Sequence, residues 1–70
     1  MKFETLKAGD YIECEFTTIN GGGMKKYFAL TARVVYVNKE PDFAVIIDNE
    51  DNPFLILRDR MKKIKQAKVL

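Results

Sequence analysis

The chemistry open to this chain is narrow, because its 70 residues include no histidine. Without imidazole there is no Ser-His-Asp or Cys-His nucleophilic system, and the commonest protein metal ligand is missing. One acid–base pair remains, Glu13 and Glu15, which lie two residues apart and therefore on one face of a predicted strand. A solvated strand face produces the same spacing, so we expect a protein that is not an enzyme and needs no cofactor.

A second candidate site is the polar segment 48–52, which resembles a calcium-binding loop when Asp48 is counted as its first position. Asp59 then falls at the twelfth position, where such loops carry a bidentate Glu, and Pro53 stands where they need glycine. Strands are also predicted on both sides, where helices should flank the loop. The segment is better interpreted as a polar hairpin turn, and no metal site is predicted.

Glycine, basic and aromatic residues follow one another at 21–27, where Gly21, Gly22 and Gly23 precede Lys25, Lys26 and Tyr27. A phosphate-binding loop needs a helix N-terminus behind its glycines, whereas a strand is predicted here. Residues 20–23 are instead predicted to be the flexible tip of a loop. The two lysines and the tyrosine beside it either contact a nucleic-acid backbone and stack on a base, or keep the loop soluble.

The strongest functional signal is the basic C-terminal segment. Residues 1–57 carry six Lys/Arg against nine Asp/Glu, net −3, while residues 58–70 carry six basic side chains against Asp59, net +5, which sums to +2. Phosphate contacts are predicted for five of these basic residues, namely Arg58, Arg60, Lys62, Lys63 and Lys65. The alternative is structural, because a charged last strand protects a sheet edge from pairing with another chain.

The elements that must position these residues are organised around segment 27–37, which is apolar and β-branched. Alternation predicts a strand there with an inner face of Phe28, Leu30, Ala32, Val34 and Tyr36. Its predicted core partners are Ile12, Cys14, Phe16, Val45 and Ile47. The opposite face, with Val35, Val37, Ala44 and Ile46, is also apolar, which favours a second layer or a partner.

The remaining pattern predicts strands at 11–19, 43–47 and 54–57, with Phe3 and Leu6 pointing inward before them. Two interpretations of the last residues stay open. Met61, Ile64 and Lys68 share one face of a short helix, or a single helical turn at 59–62 precedes a short strand in which Ala67 and Val69 alternate with lysines. Basic residues in the first turn oppose a helix dipole, which favours the second interpretation.

The order and lengths of these elements resemble an SH3-like barrel, with an OB-like barrel as the nearest alternative. The resemblance implies an all-β fold: a single domain over 1–70, with about five antiparallel strands and one short helical turn before the last. Self-association is expected, because a chain this short buries only about 60% of its unfolded surface.

The sequence also predicts where in the cell the protein is found. Cys14 has no second cysteine to pair with, alternates with Ile12 and Phe16, and is therefore expected to be a buried core thiol. The first ten residues lack the apolar segment of a signal peptide, and no apolar run reaches the roughly 20 residues of a membrane span. We expect a cytoplasmic protein that does not associate with membranes.

Two functional hypotheses follow. The first is a nucleic-acid-binding barrel without sequence preference, which uses Lys25, Lys26 and Tyr27 together with the basic C-terminal segment. The second is a protein–protein interaction module, a small regulator, inhibitor or accessory subunit of the kind that phages and other mobile elements encode. The acidic body of the chain weakens the first hypothesis, and the basic C-terminal segment weakens the second.

Overall fold

Five antiparallel strands form one sheet in the computed structural model, which describes residues 1–20 and 22–68. The strands are β1 (Tyr11–Asn20), β2 (Gly23–Asn38), β3 (Phe43–Asp48), β4 (Pro53–Leu57) and β5 (Lys62–Gln66). Two 3₁₀ helices, η1 (Phe3–Thr5) and η2 (Arg58–Arg60), precede β1 and β5. The strand order is β4-β3-β2-β1-β5. Within the described ranges, no helix has the length and apolarity needed to cross a membrane.

The predicted all-β fold with five antiparallel strands is confirmed, but the sheet is open. Within residues 1–20 and 22–68, β4 pairs only with β3 and β5 pairs only with β1, so the two edge strands do not meet. A helical turn followed by a closing strand is confirmed at the end of the chain, but the turn is η2 at Arg58–Arg60 and the strand β5 ends at Gln66, before Ala67. Val69, which was expected to alternate with lysines in that strand, lies outside the described residues.

Strand β1 supplies the centre of the core as predicted. Ile12, Cys14 and Phe16 are at most 1% exposed, whereas the alternating residues Glu13 and Glu15 lie on the other face. Full burial of a side chain the size of Ile12 contributes about 2 kcal/mol through the hydrophobic effect. The period-2 pattern of β1 therefore fixes both its position in the sheet and its inner face.

A β-bulge near the start of β2 changes which aromatic side chain faces the core. Cys14 pairs with Leu30 and Phe16 pairs with Tyr27, so two steps along β1 match three along β2. The extra residue moves Tyr27 onto the core face and leaves Phe28 69% exposed. The prediction that Phe28 faces inward is wrong, because alternation assumes a strand without such an insertion.

A second bulge has the same effect near the end of β2. Val34 pairs with Ile46 and Tyr36 pairs with Val45, so β2 again advances one residue more than its neighbour. Val37 consequently packs against the core, and Tyr36 is 51% exposed. The inward placement predicted for Tyr36 is therefore wrong, as is the outward placement of Val37.

The core face of β3 is the opposite of the predicted one. Ala44 and Ile46 are fully buried, while Val45 and Ile47 are half-buried on the outer face of the sheet. Both faces of β3 are apolar, so alternation alone gives no preference, and pairing with the bulged β2 decides the matter. The outer apolar surface exists, but Ala44 and Ile46 do not belong to it.

The N-terminal segment covers one end of the core. Phe3 and Leu6 are buried as predicted. Gly9 then adopts φ +98°, a conformation that costs glycine little, and its N–H donates to the Val34 carbonyl at 2.8 Å. This turn directs the chain into β1 beside β2. At the far end of the same strand pair, Gly21 of the predicted flexible loop lies outside the described residues.

Candidate binding surface

The carboxylate of Glu15 brings together the hairpin and the basic C-terminal segment. It is 12% exposed, with Lys26 Nζ 3.9 Å from Oε2 and Lys63 Nζ 3.8 Å from Oε1. Lys26 comes from β2, which pairs with β1 on one side, and Lys63 comes from β5 on the other. Because β1 is the shared neighbour, two lysines that are distant in sequence meet above it.

Two further cations extend this cluster. A cavity of about 210 Å³ is lined by Glu15 and Lys26 and also by Arg60 and Lys62. Arg60 and Lys62 form no ion pair with any residue that the structure describes. We call the four cations Lys26, Arg60, Lys62 and Lys63 the basic rim. Asp59 also lines the cavity, so its lining carries three positive charges and two carboxylates, and Lys63 joins the cluster through its ion pair with Glu15.

The basic rim continues into a more apolar depression. A cavity of about 360 Å³ lies between the second half of β1, through Thr17 and Thr18, and the edge strand β4. Arg60 and Thr17 line both cavities. We call this depression the edge groove; its lining is Thr17, Thr18, Leu55, Ile56, Leu57 and Arg60. Its volume lies near the lower end of the roughly 300–1,000 Å³ usual for ligand sites.

Arg58 lies apart from the basic rim, although the sequence groups it with those cations. Its guanidinium forms an ion pair with Glu4 of η1, and its Nη1 donates to Asp42 Oδ2 at 3.2 Å. The same group lies 5.9 Å from the centre of the Phe3 ring. Arg58 therefore links η1 to the turn before β3, and its charge is paired within the protein.

The aromatic and lysine side chains of the hairpin are also engaged within the protein. Tyr27 stacks on Phe16 with 5.0 Å between ring centres and makes an edge contact with Phe54 at 5.2 Å. Lys25 Nζ lies 4.9 Å from the centre of the Tyr27 ring. Tyr27 is half-buried, so its ring does not present two open faces to a base. Lys65 is exposed on β5, opposite Glu13.

The Cys14 thiol and the Asp48 carboxylate, the two other candidate chemical groups, both have surroundings that indicate a structural role. Burial raises the pKa of the Cys14 thiol to about 11, with a further contribution from Glu13, and this favours an unreactive thiol. The Asp48 carboxylate accepts hydrogen bonds from the backbone N–H groups of Glu50 and Asn52 and from the Asn52 side chain. These bonds, the one from the Asn52 backbone foremost, lower the pKa of Asp48 and shape a tight turn.

An apolar surface on the outer face of β2, β3 and β4 was only partly anticipated. Leu55 is 62% exposed, Leu57 is 42% exposed, and Tyr36 lies in line with Leu55 across Val45. Sequence reasoning identified an apolar second face but assigned other residues to it, because the bulge near Val35 is invisible to alternation. The signal available in the sequence was the doubly apolar character of β4.

Comparisons of this chain with protein-family models, with curated proteins and with solved structures find no match.

Proposed function

We propose that this protein is a small, non-enzymatic binding domain that contacts nucleic acid without sequence preference in the cytoplasm. The observation that carries the proposal is the convergence of Lys26 from the hairpin with Arg60, Lys62 and Lys63 from the C-terminal segment. Lysine and arginine side chains gathered on one face of a domain are the usual electrostatic signature of a surface that contacts a phosphate backbone.

The fold is proposed to be an SH3-like barrel. Support comes from the element order, in which two long strands and two short ones precede a 3₁₀ turn and a last short strand. The central position of β1, between β2 and β5, adds to that support. The edge groove supports this proposal too, because it is lined by both the hairpin half of β1 and by β4, as expected for a sheet that curves toward a barrel.

The charge arrangement predicts how binding depends on salt. Arg60 and Lys62 are available to phosphates, whereas Lys26 and Lys63 share the Glu15 carboxylate. Each phosphate that is neutralised contributes about 0.7 to 0.9 to the slope of log affinity against log salt concentration. We therefore expect log affinity to fall with log salt concentration with a slope of about 1.4 to 1.8 in magnitude, set by the two unpaired cations, with no dependence on base sequence.

The proposal is tested by fluorescence anisotropy with labelled single-stranded and duplex oligonucleotides at low salt. The double variant Arg60→Ala/Lys62→Ala should lose most of the affinity, and its salt slope should fall toward zero. Arg58→Ala is the matched control, because Arg58 lies in the same 3₁₀ helix but is held by Glu4 and Asp42.

Glu15→Gln is the complementary variant, since it frees Lys26 and Lys63 and should tighten binding. Wild-type protein that binds neither DNA nor RNA at concentrations on the order of tens of micromolar would overturn the proposal. Equal losses in Arg58→Ala and the double variant would also contradict it, because they would show that the basic rim has no special role.

Protein–protein interaction is the second candidate function, that of a small regulator, inhibitor or accessory subunit. The observation that favours it is the exposed apolar surface containing Tyr36, Leu55 and Leu57. Exposed leucines clustered on one sheet face are typical of interaction surfaces. If this surface pairs with an identical copy, sedimentation velocity should show a dimer that Leu55→Lys dissociates; a monomer at all concentrations would exclude such self-association.

A further inference from the structure

Among residues 1–20 and 22–68, no strand pairs with the outer edge of β4, so its outward main-chain groups have no strand partner there. At one end of β4, Arg58 N–H donates to the Asp42 carbonyl; at the other, Asp48 N–H donates to the Asn52 carbonyl. Antiparallel partners alternate between hydrogen-bonded and non-hydrogen-bonded pairs. The even-numbered positions of β4 are therefore directed toward β3.

It follows that the odd-numbered positions of β4 are directed away from β3. Leu55 and Leu57 each present an N–H and a carbonyl to the edge groove, and Pro53 presents a carbonyl. Proline lacks a donor, and its position at the start of an edge strand costs β4 no ladder bond. The free edge of β4 thus offers donors and acceptors in the spacing that another strand requires.

The second half of β1 has an equally free edge. Ala67 N–H donates to the Tyr11 carbonyl, so the odd-numbered positions of β1 are directed toward the β5 side. Pairing with β5 ends at Lys62 opposite Glu15, as far as the described residues show. The main-chain groups of Thr17 therefore face the edge groove from the side opposite β4.

The apolar and basic residues that line the edge groove indicate which kind of peptide segment would bind there. Ile56 lines the groove from the core face of β4, Leu55 and Leu57 lie on the outer face, and Arg60 lies where the groove meets the basic rim. An added strand alternates its side chains between the two faces, so apolar residues would meet the core side and acidic residues would meet the cations.

We propose that the edge groove binds an extended peptide segment in which apolar and acidic residues alternate, and that the segment adds to β4 as a sixth strand. This mode of recognition draws affinity from main-chain hydrogen bonds and specificity from alternate side chains. The inference rests on the second candidate function, protein recognition, and is independent of nucleic-acid binding.

Two other occupants fit the groove less well. A second copy of β4 brings the sequence PFLIL, which has no carboxylate to meet Arg60. A nucleic-acid strand needs exposed ring faces for its bases, and none of the groove-lining residues is aromatic. Main-chain groups in strand spacing complement a peptide instead.

The test uses fluorescence anisotropy with a labelled peptide of about six residues, the usual length of a strand, in which valine and glutamate alternate. Leu57→Pro removes one outward N–H without demanding a new backbone conformation, because Leu57 already has φ −67°. Leu57→Ala is the matched control, since it removes the same side chain and keeps the donor. We expect Leu57→Pro to bind about tenfold more weakly than Leu57→Ala.

A measurement on the wild-type protein guards against a folding defect in Leu57→Pro. Methylation of alternate backbone nitrogens in the peptide should abolish binding when the methylated set faces β4, because those donors are then lost. Arg60→Glu should weaken the unmodified peptide but not a version with lysine in place of glutamate. Equal binding of all peptides, or equal affinities for Leu57→Pro and Leu57→Ala, would overturn the inference.

Oligonucleotide binding separates this inference from the nucleic-acid proposal. Leu57→Pro should leave oligonucleotide affinity within about twofold, since phosphates need no main-chain donor from β4. If Leu57→Pro instead lowers oligonucleotide affinity and the peptide does not bind, the groove belongs to nucleic acid and the inference fails. A wild-type dimer that Leu57→Pro dissociates would assign the edge to self-pairing and would equally overturn it.

Discussion

At the residue scale, the carboxylates, the single thiol and the basic side chains have different surroundings in the fold. The Glu15 carboxylate, considered with Glu13 as an acid–base pair, forms ion pairs with both Lys26 and Lys63. Cys14 is enclosed in the core at 1% exposure. Ordinary packing and ion pairing therefore account for these reactive groups, and the available cations are Arg60 and Lys62 of the basic rim.

Cys14 gives a pH prediction whose sign can be worked out. In the unfolded chain the thiol loses its proton near pH 9.0, whereas the folded protein retains it until about 11. Between these values unfolding releases a proton, so the stability associated with the buried thiol is complete below pH 9.0 and is lost as pH rises toward about 11.

The measurement is urea unfolding of the wild-type protein and of Cys14→Val at about pH 8 and about pH 10. The free energy of unfolding should decrease more in the wild-type protein than in the variant between these two values. Parallel decreases would show that the thiol has an ordinary pKa and that Cys14 is more accessible than its burial indicates.

At the scale of elements, sequence patterns predict where strands lie better than which way they face. Strand β3 begins at Phe43 as predicted, and β1 follows simple alternation throughout its inner face. In β2 the alternation is interrupted near Phe28 and near Val35, and no local signal such as glycine marks either bulge. Since a one-residue insertion reverses the alternation beyond it, the sequence predicts that a second apolar face exists but not which residues form it, and it does not predict the edge groove.

The first bulge predicts an unequal cost for two adjacent aromatic residues. Tyr27→Ala should lower the free energy of unfolding by about 2 kcal/mol, because Tyr27 packs against Phe16 and Phe54. Phe28→Ala should change it by less than about 0.5 kcal/mol, because Phe28 is largely exposed. Urea denaturation of both variants checks this ranking, and the reverse order would mean that β2 continues without the bulge.

At the scale of the whole molecule, the basic residues of the C-terminal segment are distributed between two places with different surroundings. Acidic Glu4 and Asp42 bind Arg58 at one site, while Arg60 and Lys62 remain available at another. The net +5 of residues 58–70 therefore overstates the charge that a ligand meets. One arginine of η2 is therefore paired with carboxylates of the same chain, and the other belongs to the basic rim.

Loss of Arg58 should loosen the attachment of η1 to the rest of the molecule. We expect Arg58→Ala to lower the free energy of unfolding by up to about 1 kcal/mol, the upper range for a half-exposed ion pair, and to do so less at high salt. Hydrogen exchange should accelerate at the Leu6 amide, which donates to Phe3 within η1. Arg60→Ala serves as the control, and an equal loss of stability in that variant would contradict the assigned role of Arg58.

The placement of Lys25 above the Tyr27 ring also provides a spectroscopic reporter. With Nζ 4.9 Å from the ring centre, the methylene protons at the end of the lysine side chain lie in the shielding region of the ring current and should resonate upfield of those of an ordinary lysine. Phosphate binding at Arg60 and Lys62 leaves the Lys25 ammonium over the ring, so these protons should stay upfield when an oligonucleotide binds. A return to the usual lysine chemical shift would show that Lys25 contacts phosphate as well.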